Sequence, residues 1–262
     1  MTLDVQLYTL RNFITTIDGF RDALQRVAAL GYDGVQLSAV GCMNGDAPTL
    51  DAAGARALLD EFGLQATATH RAWDRLRDHT DEEIAFHQTL GCRYAAIGGI
   101  WAPEGQTFES ALTQWLSELP PVLDRLSAAG IQFGYHNHHH EFERIGAANE
   151  TVYARLIREA DPRLQFEVDT YWVAMGGASV ERQLESLSER IPMIHVKDMA
   201  VVDRKSGVMA PVGEGNLDWD HILSAARRGG TTAFIVEQDE CLRDPFDCLA
   251  SSYRFLRSRL TA

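Results

Sequence analysis

The chain has 262 residues, with 24 Lys and Arg against 37 Asp and Glu, for a formal net charge of −13. That imbalance argues against broad contact with phosphate backbones or anionic membranes, and no dense Lys/Arg run supplies a local patch. A hydrophobic fraction of 45% supports a large core, and a chain of this length suits one α/β barrel of roughly 250 residues without leftovers.

The four cysteines, Cys42, Cys92, Cys241 and Cys248, form no CxxC pair and read as free thiols of a reducing compartment. The N-terminus carries an acid at Asp4 and an apolar stretch too short for a signal peptide, and no apolar run approaches the roughly 20 residues that span a bilayer. A soluble, cytoplasmic protein is expected. The basic RSRL near the C-terminus reads as a solvated helix end.

Strand-like and helix-like segments alternate along the whole chain. The β-prone runs are VQLYTL (Val5 to Leu10), GVQLS (Gly34 to Ser38), LQATATH (Leu64 to His70), YAAIGG (Tyr94 to Gly99), IQFGYH (Ile131 to His136), LQFEVD (Leu164 to Asp169), PMIHV (Pro192 to Val196) and FIVEQ (Phe234 to Gln238). Between the first two, Phe20, Leu24, Val27, Ala28 and Leu30 approximate one helical face. Gly31, Gly63, Gly91, Gly130 and Gly229 each follow a helical pattern and precede a strand, which is the place of a left-handed C-terminal cap. Eight such units with no second alternation pattern predict a single (β/α)8 TIM barrel over residues 1–262. The doubly wound alternative lacks a Gly-rich dinucleotide fingerprint after the first strand.

Each of the last four runs leads to a residue able to bind a metal: Glu141 at the end of FGYHNHHHEF, then Asp169, His195 and Glu237. Parallel-barrel enzymes build their sites at the C-terminal ends of several strands. Two glutamates, an aspartate and a histidine offer mixed oxygen and nitrogen donors, which suit Mn²⁺, Mg²⁺, Co²⁺ or Zn²⁺. Each residue also has an ordinary explanation. Asp169 could cap the helix that DTYW opens, His195 could be a satisfied core histidine, and Glu237 could pair with a Lys or Arg. Four unrelated causes converging on one half of the barrel mouth is the less economical account. Glu141 is the hardest to place, because it lies beyond the apolar part of its strand in a His-rich run whose His139 and His140 read as solvated loop.

In combination and in order, YHNHHHEF, FEVDTYWVAMGG, IHVKDM, VGEGNLDW and IVEQD, with the opening VQLYTLR, resemble the sugar phosphate isomerase/epimerase family of the xylose isomerase-like barrel superfamily. The resemblance spans essentially the whole chain. It implies one divalent metal, most often Mn²⁺, held by Glu141, Asp169, His195 and Glu237. There is one departure: tagatose-type epimerases carry the first Glu three residues before an Asn, a position held here by Gly134, and the YHNHxxEF branch supplies Glu141 instead.

An ion chelated by a carbonyl and an adjacent hydroxyl stabilises the enediolate formed when a proton leaves the α carbon. A flanking carboxylate or histidine moves that proton. Its return to the opposite face is epimerisation, its return to the neighbouring carbon is aldose–ketose isomerisation, and loss of a β-hydroxyl is dehydration. Glu237 and Glu141 are the first acid/base candidates, with His70 at the end of strand 3 as a second proton carrier. Lys197 faces the same side of its strand as His195 and could bind a substrate oxygen, unless it merely pairs with Asp169 or Glu167.

Gln6, Tyr8, Gln36, His136 and His138 could reach a polyol. Trp101 and Trp172 could stack on sugar C–H groups, and Glu214 could close over the site. The expected function is that of a metal-dependent sugar or polyol isomerase or epimerase with a small-molecule substrate. A lyase or dehydratase of a keto-polyol, dehydroshikimate or 3-keto-glycoside shares the ligands. A non-catalytic sugar-binding barrel would show a lost ligand, and an endonuclease IV-type enzyme would need three metals and a basic face. Barrels of this sort often pair through their outer helices, so a homo-oligomer is allowed.

Overall fold

The computed structural model describes residues 1–45, 48–187 and 189–260. The barrel strands are β1 (Thr2–Gln6), β2 (Gly34–Leu37), β3 (Gln65–His70), β4 (Tyr94–Ile97), β5 (Gln132–His136), β6 (Gln165–Asp169), β7 (Met193–Val196) and β8 (Ala233–Val236). Each pairs in parallel with its neighbours in chain order, and β8 closes on β1. This is a (β/α)8 TIM barrel, as the alternation of runs predicts. Among the described residues no helix is long and apolar enough to cross a membrane.

The period of two along a strand sorts the side chains. Phe166 and Val168 of β6, Ile194 and Val196 of β7, and Phe234 and Val236 of β8 face outward into the buried layer between sheet and helices. The inward set is separate. Ala68, Tyr94, Ala96, Met193, Ala233 and Ile235 make a small apolar plug inside the barrel. Two residues further along their strands, the same inward rows become His70, His195 and Glu237. The core therefore ends, and the polar site begins, at one level across the barrel.

Local chemistry starts and stops the outer helices. Thr16, Asp51, Thr107, Thr151, Asp169, Ser179 and Asp218 each cap a helix N-terminus with a side-chain oxygen. Gly31 and Gly91 close the first and fourth of the chain's α-helices in the left-handed conformation, at φ 98° and 74°. Gly229 does not: its φ is −75°, and the left-handed step falls one residue later, at Gly230 with φ 92°. All four cysteines are free.

The structure departs from the sequence reading in two further places. The first strand is Thr2–Gln6 rather than Val5 to Leu10, because Gln6 Oε1 accepts from Tyr8 N–H and opens a 3-10 turn over Leu7–Leu10. A hairpin of Asp198–Val202 with Lys205–Ala210 also leaves the mouth after β7. Asp198 secures its base. Its carboxylate accepts five hydrogen bonds, from the N–H groups of Met199, Gly213, Gly215 and Leu217 and from Trp219 Nε1. A Cβ at Gly215 would lie 2.2 Å from that carboxylate, so only glycine fits there.

At the other end of the barrel Asp4 is fully buried, with one oxygen bonded to Thr2 Oγ1 at 2.7 Å and the other without a hydrogen bond. Burial pushes its carboxyl from 3.8 up to about 6, against the hydrogen bond from Thr2. A carboxyl that holds its proton more tightly when folded costs stability as pH rises through the interval between the unfolded and folded values. Asp4→Asn should therefore raise stability at pH 7 to 8 by up to about 3 kcal/mol. The gain should shrink between pH 6 and 4 and vanish below. Thermal unfolding across that range checks it, and a gain that does not change with pH would assign the effect to something other than ionisation.

Candidate active site

The site is two tiers of side chains on the inward rows of the strands. The lower tier surrounds Glu167, two residues before Asp169 on β6 and fully buried. Its Oε1 accepts from Gln36 Nε2 at 2.7 Å and its Oε2 from His70 Nε2 at 2.6 Å. Gln36 Oε1 in turn accepts from Gln6 Nε2 at 3.0 Å and from His195 Nε2 at 2.7 Å. Burial alone would raise the Glu167 carboxyl, yet His195 and His70 beside it bring it down to about 2.

The upper tier lies at the strand ends. His136 on β5, Asp169 on β6, His195 on β7 and Glu237 just past β8 each offer a ligand atom, all within 4.8 Å of one another. His136 turns Nε2 to within 3.9 Å of Asp169 Oδ2. His195 places Nδ1 at 2.8 Å from Glu237 Oε2 and 3.9 Å from Asp169 Oδ2. Asp169 splits its work: Oδ1 accepts from Trp172 N–H at 2.9 Å and caps the helix Thr170–Met175, while Oδ2 is buried without a hydrogen bond.

Lys197 lies above this group, 1% exposed, with Nζ at 3.1 Å from Asp169 Oδ2, 2.9 Å from Glu237 Oε2 and 2.9 Å from Asp239 Oδ2. The Lys197 contact to Asp169 is close enough for an ion pair but lies off the hydrogen-bonding direction. Burial opposes the ammonium, and the three carboxylates outweigh it, so Lys197 stays charged above its ordinary range. Burial likewise works against the Glu237 carboxylate, and Lys197 and His195 hold it well below the usual value. Burial, with His195, His138, His70 and Lys197 nearby, keeps His136 neutral. Burial lowers His195 too, but Glu167 and Glu237 raise it to about 10.

Two carboxylates and two imidazoles around an unbonded carboxylate oxygen match the donor chemistry of a divalent cation, which would take the place of the proton that Glu237 now holds on His195 Nδ1. A second group of donors, His70, His136, Glu167 and His195, lies one tier down. It fits less well, because both Glu167 oxygens are already engaged by Gln36 and His70.

Above the donors opens a cavity of about 360 Å³, lined by Tyr8, Ser38, His70, Trp101, His136, His138, Trp172, Lys197, Glu237 and Asp239 among others. Tyr8, Trp101, His136, His138, Trp172, His70 and Lys197 thus line one cavity at the mouth. Gln6 and Gln36 do not. Both are fully buried beneath the donors and bonded to the tier below, out of direct reach of a polyol.

Glu141 is not brought into the group with Asp169, His195 and Glu237. The turn His140–Phe142 folds it back beneath the β5 loop, where Oε1 accepts from Tyr135 Oη and Oε2 from His138 N–H, each at 2.8 Å. Burial pushes its carboxyl up to about 7 against those bonds. It forms a separate cluster with His138 and His140. Glu214 also turns away, pairing with Arg243 and Ser251 on the outer surface.

Sequence reasoning put His136 among the substrate-binding residues, gave Glu167 only as a possible partner of Lys197, and gave Asp239 no role. The signal was available: Glu167 sits two residues before Asp169 on the same face of its strand, and Asp239 follows Glu237 at the same spacing.

A family model described as xylose isomerase-like TIM barrel matches residues 24–259. No curated protein matches the chain. Among solved structures, a sugar phosphate isomerase/epimerase from Parabacteroides distasonis ATCC 8503 is 19% identical with a TM-score of 0.78, over 98% of this chain and 94% of that one. A D-allulose 3-epimerase from Methylomonas sp. is 13% identical with a TM-score of 0.73, over 99% and 98%. A probable 3-DHS dehydratase involved in petrobactin synthesis, from Bacillus anthracis, is 13% identical with a TM-score of 0.74, over 99% and 100%.

The placement of Glu141 makes it a brace for its loop. Glu141→Ala should lower unfolding free energy by about 2 to 4 kcal/mol, because it leaves the buried Tyr135 hydroxyl and the His138 N–H without their acceptor. Denaturant titration measures this, and an unchanged midpoint would show the loop to be held by other contacts.

Proposed function

The chain belongs to the xylose isomerase-like TIM-barrel family, and from that footing we propose that it is a divalent-cation-dependent isomerase or epimerase of a sugar or polyol. One observation carries the reading: His136, His195 and Glu237, from the ends of β5, β7 and β8, gather round an Asp169 oxygen that has no hydrogen bond of its own. His136, Asp169, His195 and Glu237 would hold the ion, with Mn²⁺ the first to try. When bound, it polarises a carbonyl and its neighbouring hydroxyl and offsets the charge left as the adjacent carbon loses a proton.

The chain's own groups would do the rest. Glu237, kept ionised by Lys197 and His195, takes the proton. Lys197, its ammonium held by three carboxylates, binds a substrate oxygen and fixes which carbon faces Glu237. His70 enters the same cavity from β3 and returns a proton from another wall, as epimerisation requires. Trp101 and Trp172 present aromatic faces to sugar C–H groups.

Elimination of a β-hydroxyl is the second reading. It is supported by the Lys197–Asp239 pair, which could protonate a departing hydroxyl at the mouth.

Metal analysis of the purified, Mn²⁺-soaked protein is the first test. About one equivalent is expected, lost in an Asp169→Asn, His195→Ala double variant. Two or three equivalents would favour a nuclease-type cluster, and none would remove the mechanism. With metal established, a panel of ketoses in D₂O should show carbon-bound deuterium in recovered sugar. Glu237→Gln should slow that exchange by about 100- to 10,000-fold with the fold intact. A dehydrated product without deuterated sugar would select the elimination reading.

A further inference from the structure

The lower tier has a direction, set by what each group can donate or accept. Glu167, buried and ionised, is an acceptor at both oxygens. Gln36 lies 2.7 Å from Glu167 Oε1 and must present its NH₂ there, since the reverse orientation would press two acceptors together. Its carbonyl oxygen then faces Gln6 Nε2 and His195 Nε2, at 3.0 Å and 2.7 Å. A carbonyl can only accept, so His195 must carry a proton on Nε2. The same carboxylate takes the Nε2 proton of His70 and leaves His70 Nδ1 as an acceptor, 3.5 Å from the second N–H of Gln6.

We propose that Glu167 and Gln36 are positioning residues that lock His195 as the Nε2–H tautomer, so that Nδ1 is its one available ligand atom for the divalent cation. The inference rests on the metal-site reading above and adds to it which nitrogen binds and what enforces the choice. Nδ1 is the nitrogen on the side of Asp169 and Glu237, at 3.9 Å and 2.8 Å from their oxygens; without a cation it donates its own proton to Glu237 Oε2, and a cation bound among those oxygens would take that proton's place while Nε2 keeps its own. Nε2 points down into a fully buried layer. A ligating histidine needs its other ring nitrogen tied to an acceptor, which fixes ring orientation and raises donor strength. Here the acceptor is an amide oxygen whose own orientation is set one bond further away by Glu167. Glu167 Oε1 itself stands 3.3 Å from the same Nε2, a second acceptor that keeps the proton on that nitrogen.

The experiment loads the protein with Zn²⁺, a diamagnetic stand-in, and reads the ring nitrogens of His195 by long-range ¹H–¹⁵N correlation, assigned by comparison with His195→Ala. Nε2 should show the shift of a protonated nitrogen and Nδ1 that of a metal-bound one. Calorimetric titration of metal-stripped protein with Mn²⁺ gives the second readout. Gln36→Leu should weaken binding about 10- to 100-fold, while Gln36→Glu, whose carboxyl must keep a proton to face Glu167 and so still turns a carbonyl oxygen to His195, should recover part of the loss relative to Gln36→Leu. Circular dichroism confirms that each variant remains folded. Zn²⁺ bound through Nε2, or Gln36→Leu binding as tightly as wild type, would overturn the proposal while leaving the metal site standing. Failure of wild type to take up Zn²⁺ or Mn²⁺ would overturn both.

Discussion

A buried carboxylate with four polar neighbours sets the geometry of this barrel's interior. Glu167 has no solvent to screen it, so its charge must be met by N–H groups at fixed positions. His70 and Gln36 hydrogen-bond it, His195 Nε2 stands 3.3 Å from it while bonding Gln36, and Gln6 follows through Gln36. Removing a charge so placed would leave those donors oriented toward nothing, so its contribution is to specify one arrangement of the layer more than to add net stability. The apolar plug beneath supports the layer from below, and the donors rest on it from above.

The site has depth because strands alternate. Along β6, Glu167 and Asp169 face inward; His195 and Lys197 do so at the end of β7, and Glu237 and Asp239 beyond β8. His136 and His138 repeat the step after β5. In each pair the first member lies nearer the barrel axis and the second nearer the mouth. Positive and negative members interleave, so Lys197 meets Asp169, Glu237 and Asp239 at once. One spacing rule thus produces a support layer, a donor layer and a substrate-facing layer from short strands.

Most of this frame could be read from the sequence. The eight runs gave the barrel, and strand ends gave Asp169, His195 and Glu237, because period-two alternation and C-terminal placement are local properties. What was not legible was how the chain continues after a strand. Glu141 follows β5 by five residues, and whether it reaches the donors depends on a single 3-10 turn whose geometry is settled by Tyr135 and the His138 N–H. Glu214 met a similar fate through Arg243, 29 residues away. Gln6 and Gln36 were placed on the correct face but one tier too high. Depth along a strand depends on where the barrel's plug ends, and that level is a property of all eight strands together.

Asp169 joins two things that most sites keep apart. One oxygen belongs to the donor group, and the other starts the helix that carries Trp172, a wall of the cavity. The fourth residue of that stretch therefore takes its position from the carboxylate itself. A cation drawing on Asp169 Oδ2 would pull through the same carboxylate on the helix start and on the indole it carries. On the proposed reading, the shape offered to a substrate would be geared to the occupancy of the donor group, and a substitution at Trp172 would be felt there as a mechanical echo.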